Sequence, residues 1–178
     1  MKRLYLLAFP LLLWACSKPD LTATGDPNNP ALNRPYCPVP EAVNYNWNFP
    51  GKPDSSICYY PTDVFKGTYL LVDTFAREDF SVSGSDTFLI QLIPLTRTRM
   101  QLKGLCSGPS DSLLLTATRF LHADIDSTTP LGRLLCRPQD TIAGFLTRNL
   151  IDSTRLKVSF TVRSDTGMVQ HYGTAVRQ

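Results

Sequence analysis

Histidine is almost missing from this 178-residue chain, which has 2, His122 and His171. None of its 5 cysteines forms a C-x2-C pair with another. Together these shortages remove the usual ligand spacing of a zinc module. No apolar run reaches the roughly 20 residues a helix needs to cross a bilayer core. Charge of one sign is not in excess, with 18 Lys and Arg against 15 Asp and Glu. Without a basic block, nucleic acid is an improbable partner. Nucleophile-elbow, metalloprotease and phosphate-cradle patterns are all absent, so the sequence assigns no catalytic residue and no cofactor. Tandem repeats, heptads and a convincing 3.6-residue period are missing too, which argues against βαβ topology.

What is present begins with MKRLYLLAFPLLLWACSKPD. Lys2 and Arg3 precede an apolar stretch from Leu4 to Ala15, too short to span and patterned like a cleaved export signal over residues 1–15. Removing it lowers the formal charge from +3 to +1, because Lys2 and Arg3 leave with it. The stretch ends in Leu13-Trp14-Ala15-Cys16, which resembles the lipobox of bacterial lipoproteins, with Trp14 where a small or aliphatic residue usually stands. The resemblance implies cleavage before Cys16, a diacylglycerol on its thiol and, usually, an acylated amine. Acyl chains contribute about 0.8 kcal/mol per buried CH2, so the expected partner of Cys16 is a membrane that the protein does not span. The expected location is the cell envelope, on the outer membrane, with its periplasmic or surface face left open.

With Cys16 lipidated, Cys37, Cys58, Cys106 and Cys136 remain. An even number in an oxidising compartment points to two disulfides, with three possible connectivities. Local pairing, Cys37–Cys58 and Cys106–Cys136, is the expectation, since it closes one loop in each of two regions. Between Cys16 and Tyr36, SKPDLTATGDPNNPALNRP has no apolar period and reads as a disordered tether over 16–36. Extended at about 3.1 Å per residue, it would reach roughly 60 Å.

From Phe65 to the end the texture is all-β. In RLKVSFTVR, Leu156, Val158, Phe160 and Val162 share one face and Arg155, Lys157, Ser159, Thr161 and Arg163 the other. TRMQLKG alternates in the same way. KGTYLLVDT, DTFLIQLIP, SLLLTATRFL, LGRLLC, DTIAGFLTR and MVQHYGTAVR are the other candidates, joined by Ser, Asp, Gly and Pro turns. Ser164-Asp165-Thr166-Gly167 fits a hairpin between the last two. The fold expected over 65–178 is an antiparallel up-and-down meander closed into a small barrel, with a β-sandwich as the alternative. A disulfide-braced coil over 37–64 precedes it. Such a barrel can be filled by its own side chains or hold one ligand.

Two further resemblances bear on this division. Cys37, Pro40, Ala42, Asn44, Tyr45, Asn46, Asp54 and Cys58 match the frame of short cysteine modules in secreted and surface proteins of Bacteroidota, C-x-x-P-x-A-x-N-Y-N with a closing cysteine. Ser55, Ser56 and Ile57 depart from that frame's Asp-Gly-Ser segment. Gly67-Thr68-Tyr69 and the strands after it resemble the lipocalin-like or avidin-like small lipoproteins of the same bacteria, with Tyr69 in place of a tryptophan. These resemblances imply architecture and location rather than activity. A biotin-type site is disfavoured because residues 65–178 contain no tryptophan.

The remaining polar groups are weighed against plainer roles. Asn44, Asn46, Asn48, Glu41 and Asp54 could suggest calcium, but two carboxylates are few for that ion, and asparagines commonly serve turns. No metal ligand is assigned. His122 and His171 read as structural or solvated. Ser110-Asp111-Ser112 lacks an evident base and orienting partner. Asp124 and Asp126 are spaced like strand neighbours, yet Asp-Ile-Asp-Ser-Thr-Thr-Pro reads more simply as a turn. Arg99, Arg119, Arg133, Arg155 and Arg163 could bind an anionic glycan or headgroup from one face, but suit a solvated strand face better. The expected role is therefore non-catalytic binding of a small hydrophobic ligand, a glycan or an envelope protein. The alternatives are a structural surface component or an inhibitor or accessory subunit.

Overall fold

The computed structural model describes residues 29–106, 112–126, 137, 139–148 and 151–178. Of the segment read as a tether, residues 29–36 are described and carry regular structure. Asn29 accepts the backbone N–H of Ala31 at 2.9 Å and caps a 3-10 turn over Pro30–Asn33. Strand β1 (Pro35–Tyr36) then pairs in parallel with β2 (Lys52–Pro53). The sulfurs of Cys37 and Cys58 are bonded, with Cα atoms 5.1 Å apart. Cys37 and Ala42 are fully buried inside this knot.

The helix α1 (Pro61–Phe65) was not legible as a periodic run. Pro61 occupies its first turn, where a missing N–H costs nothing, and Asp63 accepts the Tyr60 N–H at 3.1 Å. Val64 and Phe65 turn into the barrel core, and Thr62 Oγ1 donates to the Thr96 carbonyl at 2.9 Å.

Eight antiparallel strands follow: β3 (Gly67–Ala76), β4 (Val82–Pro94), β5 (Arg99–Lys103), β6 (Leu113–Thr118), β7 (His122–Ile125), β8 (Thr141–Arg148), β9 (Arg155–Ser164) and β10 (Gly167–Arg177). Each pairs with the next, and β10 returns to β3 from Gln170↔Ala76 to Arg177↔Tyr69, closing the barrel. The expected meander is thus a closed barrel rather than a sandwich. The hairpin between β9 and β10 turns through Asp165 and Thr166, as the Ser164–Gly167 segment suggested.

Two strand assignments need comment. Asp124 lies within β7 rather than in a turn, because Ala123 and Ile125 on either side point into the core and pairing with β6 and β8 holds them there. Asp126 follows the strand and meets Arg99 at 2.9 Å. The candidate LGRLLC lies outside the described residues.

Inward positions alternate along the strands as period two requires. Tyr69, Leu71, Ile90, Leu92, Met100, Leu115, Leu146 and Leu156 fill the half of the barrel nearest α1, and Ile142, paired with Val162, is buried toward the other end. The outward positions of β9 are Arg155, Lys157, Ser159, Thr161 and Arg163, a wall suited to water rather than lipid. Among the described residues, no helix is long and apolar enough to cross a membrane.

Candidate functional site

The two ends of the barrel differ. At one end, where β3 begins and β10 finishes, α1 is a plug. Arg148 Nη1 and Arg177 Nη2 both donate to the Val64 carbonyl at 2.9 Å, tying the plug to the last turns of β8 and β10. The disulfide knot sits on the same side, where Arg119 stacks 5.0 Å from the Tyr45 ring centroid and donates to the Pro40 carbonyl at 3.2 Å.

Among the described residues the other end is open. A cavity of about 640 Å³ lies there, bounded by inward positions of β3, β4, β9 and β10 and by residues flanking β5 and β8. Such a volume falls within the roughly 300–1,000 Å³ typical of small-molecule sites. Phe75, Phe88, Phe160 and Val162 supply apolar wall, and Asp73, Asp86, Asp140 and His171 supply polar groups. Val158 is packed in the core and Phe160 reaches the cavity, so the core gives way to open volume along the length of β9.

At the cavity's inner side is a buried pair from the two strands that close the barrel. Asp73 on β3 is 2% exposed, and its Oδ2 lies 2.6 Å from His171 Nδ1 on β10. An ionised carboxylate only accepts, and with Asp73 ionised Nδ1 is the donor of this bond. The imidazole stacks on Phe160 with ring centroids 4.4 Å apart and planes 7° from parallel. The Phe75 ring lies tilted by 43° to the imidazole, with centroids 5.9 Å apart. The second carboxylate oxygen, Asp73 Oδ1, is buried and has no hydrogen-bond partner among the described residues.

A carboxylate–imidazole pair is two thirds of a nucleophilic triad, so the third member matters. Among the described residues the hydroxyls lining the cavity are those of Ser164 and Thr166, whose oxygens lie 2.9 Å apart, with Ser164 Oγ also donating to the Gly167 carbonyl at 3.2 Å. The geometry is that of a fixed polar floor under an aromatic wall, which suits recognition.

The residues singled out from sequence distribute elsewhere. Asn44 donates to the Ile57 carbonyl at 2.9 Å and accepts the Tyr59 N–H at 3.2 Å, bracing the knot. Asn46 and Asn48 take left-handed backbone with φ of 57° and 68°, which asparagine tolerates. Asp54 caps a 3-10 turn over Ser55–Ile57 and accepts from Ser56 N at 2.9 Å. Hydrogen bonds from the Ser56 side chain and backbone hold its carboxyl below the ordinary value. These groups do turn work. Among the described residues, no cluster of three or more His, Cys, Asp or Glu could hold a metal ion.

His122 pairs with Asp124 at 2.9 Å on the outer wall and stacks on Phe145. The described arginines do not gather into one patch, although Arg155 and Arg163 share the outward face of β9. Arg99 and Arg155 pair with Asp126 and Asp152, Arg119 joins the knot, and Arg163 stands at the far end of β9 from Arg155. Cys106 borders the cavity and is disulfide-bonded. Its expected partner Cys136, the lipidation candidate Cys16, Arg133 and Ser110-Asp111 lie outside the described residues. Sequence reasoning missed Asp73 altogether. Its one signal was a carboxylate at an inward position of an alternating strand.

No protein-family model matches the chain, and no curated protein matches it. Among solved structures, a redesigned β-barrel is 19% identical, with a TM-score of 0.45 over 67% of this chain and 96% of that one. A structure of EF1p2_mFAP2b bound to DFHBI is 14% identical, with a TM-score of 0.43 over 66% of this chain and 97% of that one. A protein of unknown function from the DUF3598 family of Nostoc punctiforme is 11% identical, with a TM-score of 0.43 over 66% of this chain and 49% of that one.

Proposed function

We propose that the chain is an exported lipoprotein, anchored to the cell envelope through acyl chains on Cys16, whose barrel holds a small ligand in its open end without transforming it. The observation that carries the binding role is the half-filled barrel. Its core is packed around α1 and as far as Val158 and Phe160 on β9, while about 640 Å³ around the buried Asp73–His171 pair is left unfilled by the described residues. A barrel serving only as a structural block would gain stability from apolar side chains at those positions, since a buried carboxylate is costly to desolvate.

The anchor rests on Leu13-Trp14-Ala15-Cys16, the tether sequence and the Bacteroidota-like cysteine frame. The knot and plug, where the described residues begin, lie at the end of the barrel opposite the cavity. The anchored protein would sit on the outer membrane.

Native mass spectrometry of protein purified from its host tests the binding role, with a co-purifying small molecule lost on denaturation as the expected result. Uniformly empty protein whose unfolding temperature no small-molecule panel raises would overturn it. Radiolabelled fatty acid tests the anchor separately: wild-type chain incorporates label and Cys16→Ala does not. Equal labelling of the two removes the anchor.

A further inference from the structure

The polar groups of the cavity are biased in sign. Three carboxylates, Asp73, Asp86 and Asp140, line it among the described residues, against the guanidinium of Arg137 and the imidazole of His171. Asp140 is 6% exposed, and Arg137 meets it only at 4.0 Å with a side chain that is 76% exposed to solvent. Asp86 accepts its neighbour's backbone N–H, Thr87, at 2.7 Å, which leaves its charge in place. A mouth lined by low-dielectric aromatic wall concentrates such a field at its centre.

The second observation is independent of that count. Asp73 Oδ1 is shielded from solvent yet lacks a donor among the described residues. A buried acceptor left unmatched is costly, and native structures rarely retain one without a use. The terminal torsion of an aspartate is soft, so the Asp73 carboxylate, which lines the cavity, can turn as a unit to offer Oδ1 to a donor on the cavity floor, with the Oδ2–His171 contact readjusting.

We infer that the open end of the barrel recognises an amphipathic organic cation: a primary amine or amidine head donating to Asp73 Oδ1, on an aromatic or short aliphatic body lying against Phe75, Phe88 and Phe160. This rests on the binding reading above and names its ligand class. The phenyl faces favour the positive head as well as the apolar body, through cation–π attraction. A metal ion fits less well, because the described carboxylates do not converge as a set of three. An anionic ligand would meet three carboxylates and leave Asp73 Oδ1 unmatched.

Three probes sharing one ring system separate head from body: tryptamine, neutral tryptophol and indole-3-propionate. Each is titrated into the full chain by calorimetry, with amide shifts of Val169 and His171 locating the site. Tryptamine should bind roughly tenfold or more tighter than tryptophol, and indole-3-propionate weakest. Asp73→Asn should weaken tryptamine roughly tenfold or more and leave tryptophol within about twofold. Equal or tighter binding of the propionate, or a tryptamine affinity indifferent to Asp73→Asn, overturns the head-group assignment while the cavity stands as a binding site. If no probe shifts the cavity amides, the cavity reading falls and the cation assignment with it. Should Asp73→Asn unfold the chain, the ranking of the three probes on the wild-type protein decides alone.

Discussion

The guanidinium of Arg177 lies over the ring of Tyr69, 5.3 Å from its centroid, and donates through Nη2 to the Tyr69 hydroxyl at 2.7 Å. The two residues face each other in the register that closes the barrel, first strand against last. The Tyr69 hydroxyl in turn donates to the Phe65 carbonyl at 2.8 Å, and Arg177 Nη2 also reaches the Lys66 carbonyl at 2.9 Å. One cation thus joins the seam of the barrel to its plug. Arg177→Met should cost about 2–3 kcal/mol and Tyr69→Phe about 1–2 kcal/mol. A urea-unfolding double-mutant cycle should show coupling of roughly 1 kcal/mol. Additive losses would mean the contact does not hold seam and plug together.

At Gly144 on β8 the backbone of β9 passes close. A Cβ there would meet the Ser159 carbonyl oxygen at 2.3 Å and the Phe160 Cα at 2.4 Å, both backbone atoms that cannot swing aside. At the β9–β10 hairpin, Gly167 has φ of 131° but nothing within 4 Å of its would-be Cβ. Gly144→Ala should therefore cost roughly 3 kcal/mol or more, from overpacking and displaced strands. Gly167→Ala pays only conformational strain, roughly 1–2 kcal/mol. Thermal unfolding of the two variants should rank them in that order, and a reversed order would contradict the close crossing.

The Cys37–Cys58 bridge spans 21 residues, enough for about 3 kcal/mol in the chain-entropy view. Its effect should stay local. In a Cys37→Ser, Cys58→Ser double variant, hydrogen exchange should quicken at Val43 and Asn46, whose N–H groups donate to the Tyr59 and Cys37 carbonyls. Amides along β3 and β10 should keep their protection. Trp47, 67% exposed on the knot, should change its fluorescence. Protection lost evenly through the barrel, or an indifferent Trp47, would show that the knot is not a separate brace.

Acid should loosen the plug. The Tyr60 N–H, above all, and the Lys66 ammonium hold the Asp63 carboxyl below its ordinary value of 3.8, against an opposing effect of burial. A carboxyl more acidic in the folded chain than in the unfolded one stabilises the fold above pH 3.8, and that contribution fades as pH falls through the folded value. Asp63→Asn keeps an oxygen for the Tyr60 N–H but cannot titrate. Its unfolding free energy should change less steeply with pH below 3.8 than that of the wild type. A carboxyl NMR midpoint for Asp63 at or above 3.8 would remove the basis for this.

Much of the barrel was written in local pattern. In RLKVSFTVR the side a residue faces follows from period two alone, and Leu156, Val158 and Phe160 are buried as that period demands. The Cys37–Cys58 loop and the hairpin at Asp165–Thr166 are likewise short-range features that a sequence can specify. Strand β7 was harder: with four residues, two of them inward, His122–Ile125 is too short for alternation to outweigh its Asp-rich end. Helix α1 spans five residues, less than two turns, so no helical period could develop.

The candidate site belonged wholly to the tertiary structure. Asp73 and His171 stand 98 positions apart, and only the pairing of the first long strand with the last brings them to 2.6 Å. Periodicity says which residues turn inward. It does not say which strand meets which, whether the sheet closes, or how much of the enclosed volume side chains leave unfilled. Closure set the Asp73–His171 pair, and the plug of Val64 and Phe65 at one end decided that the open volume lies at the other.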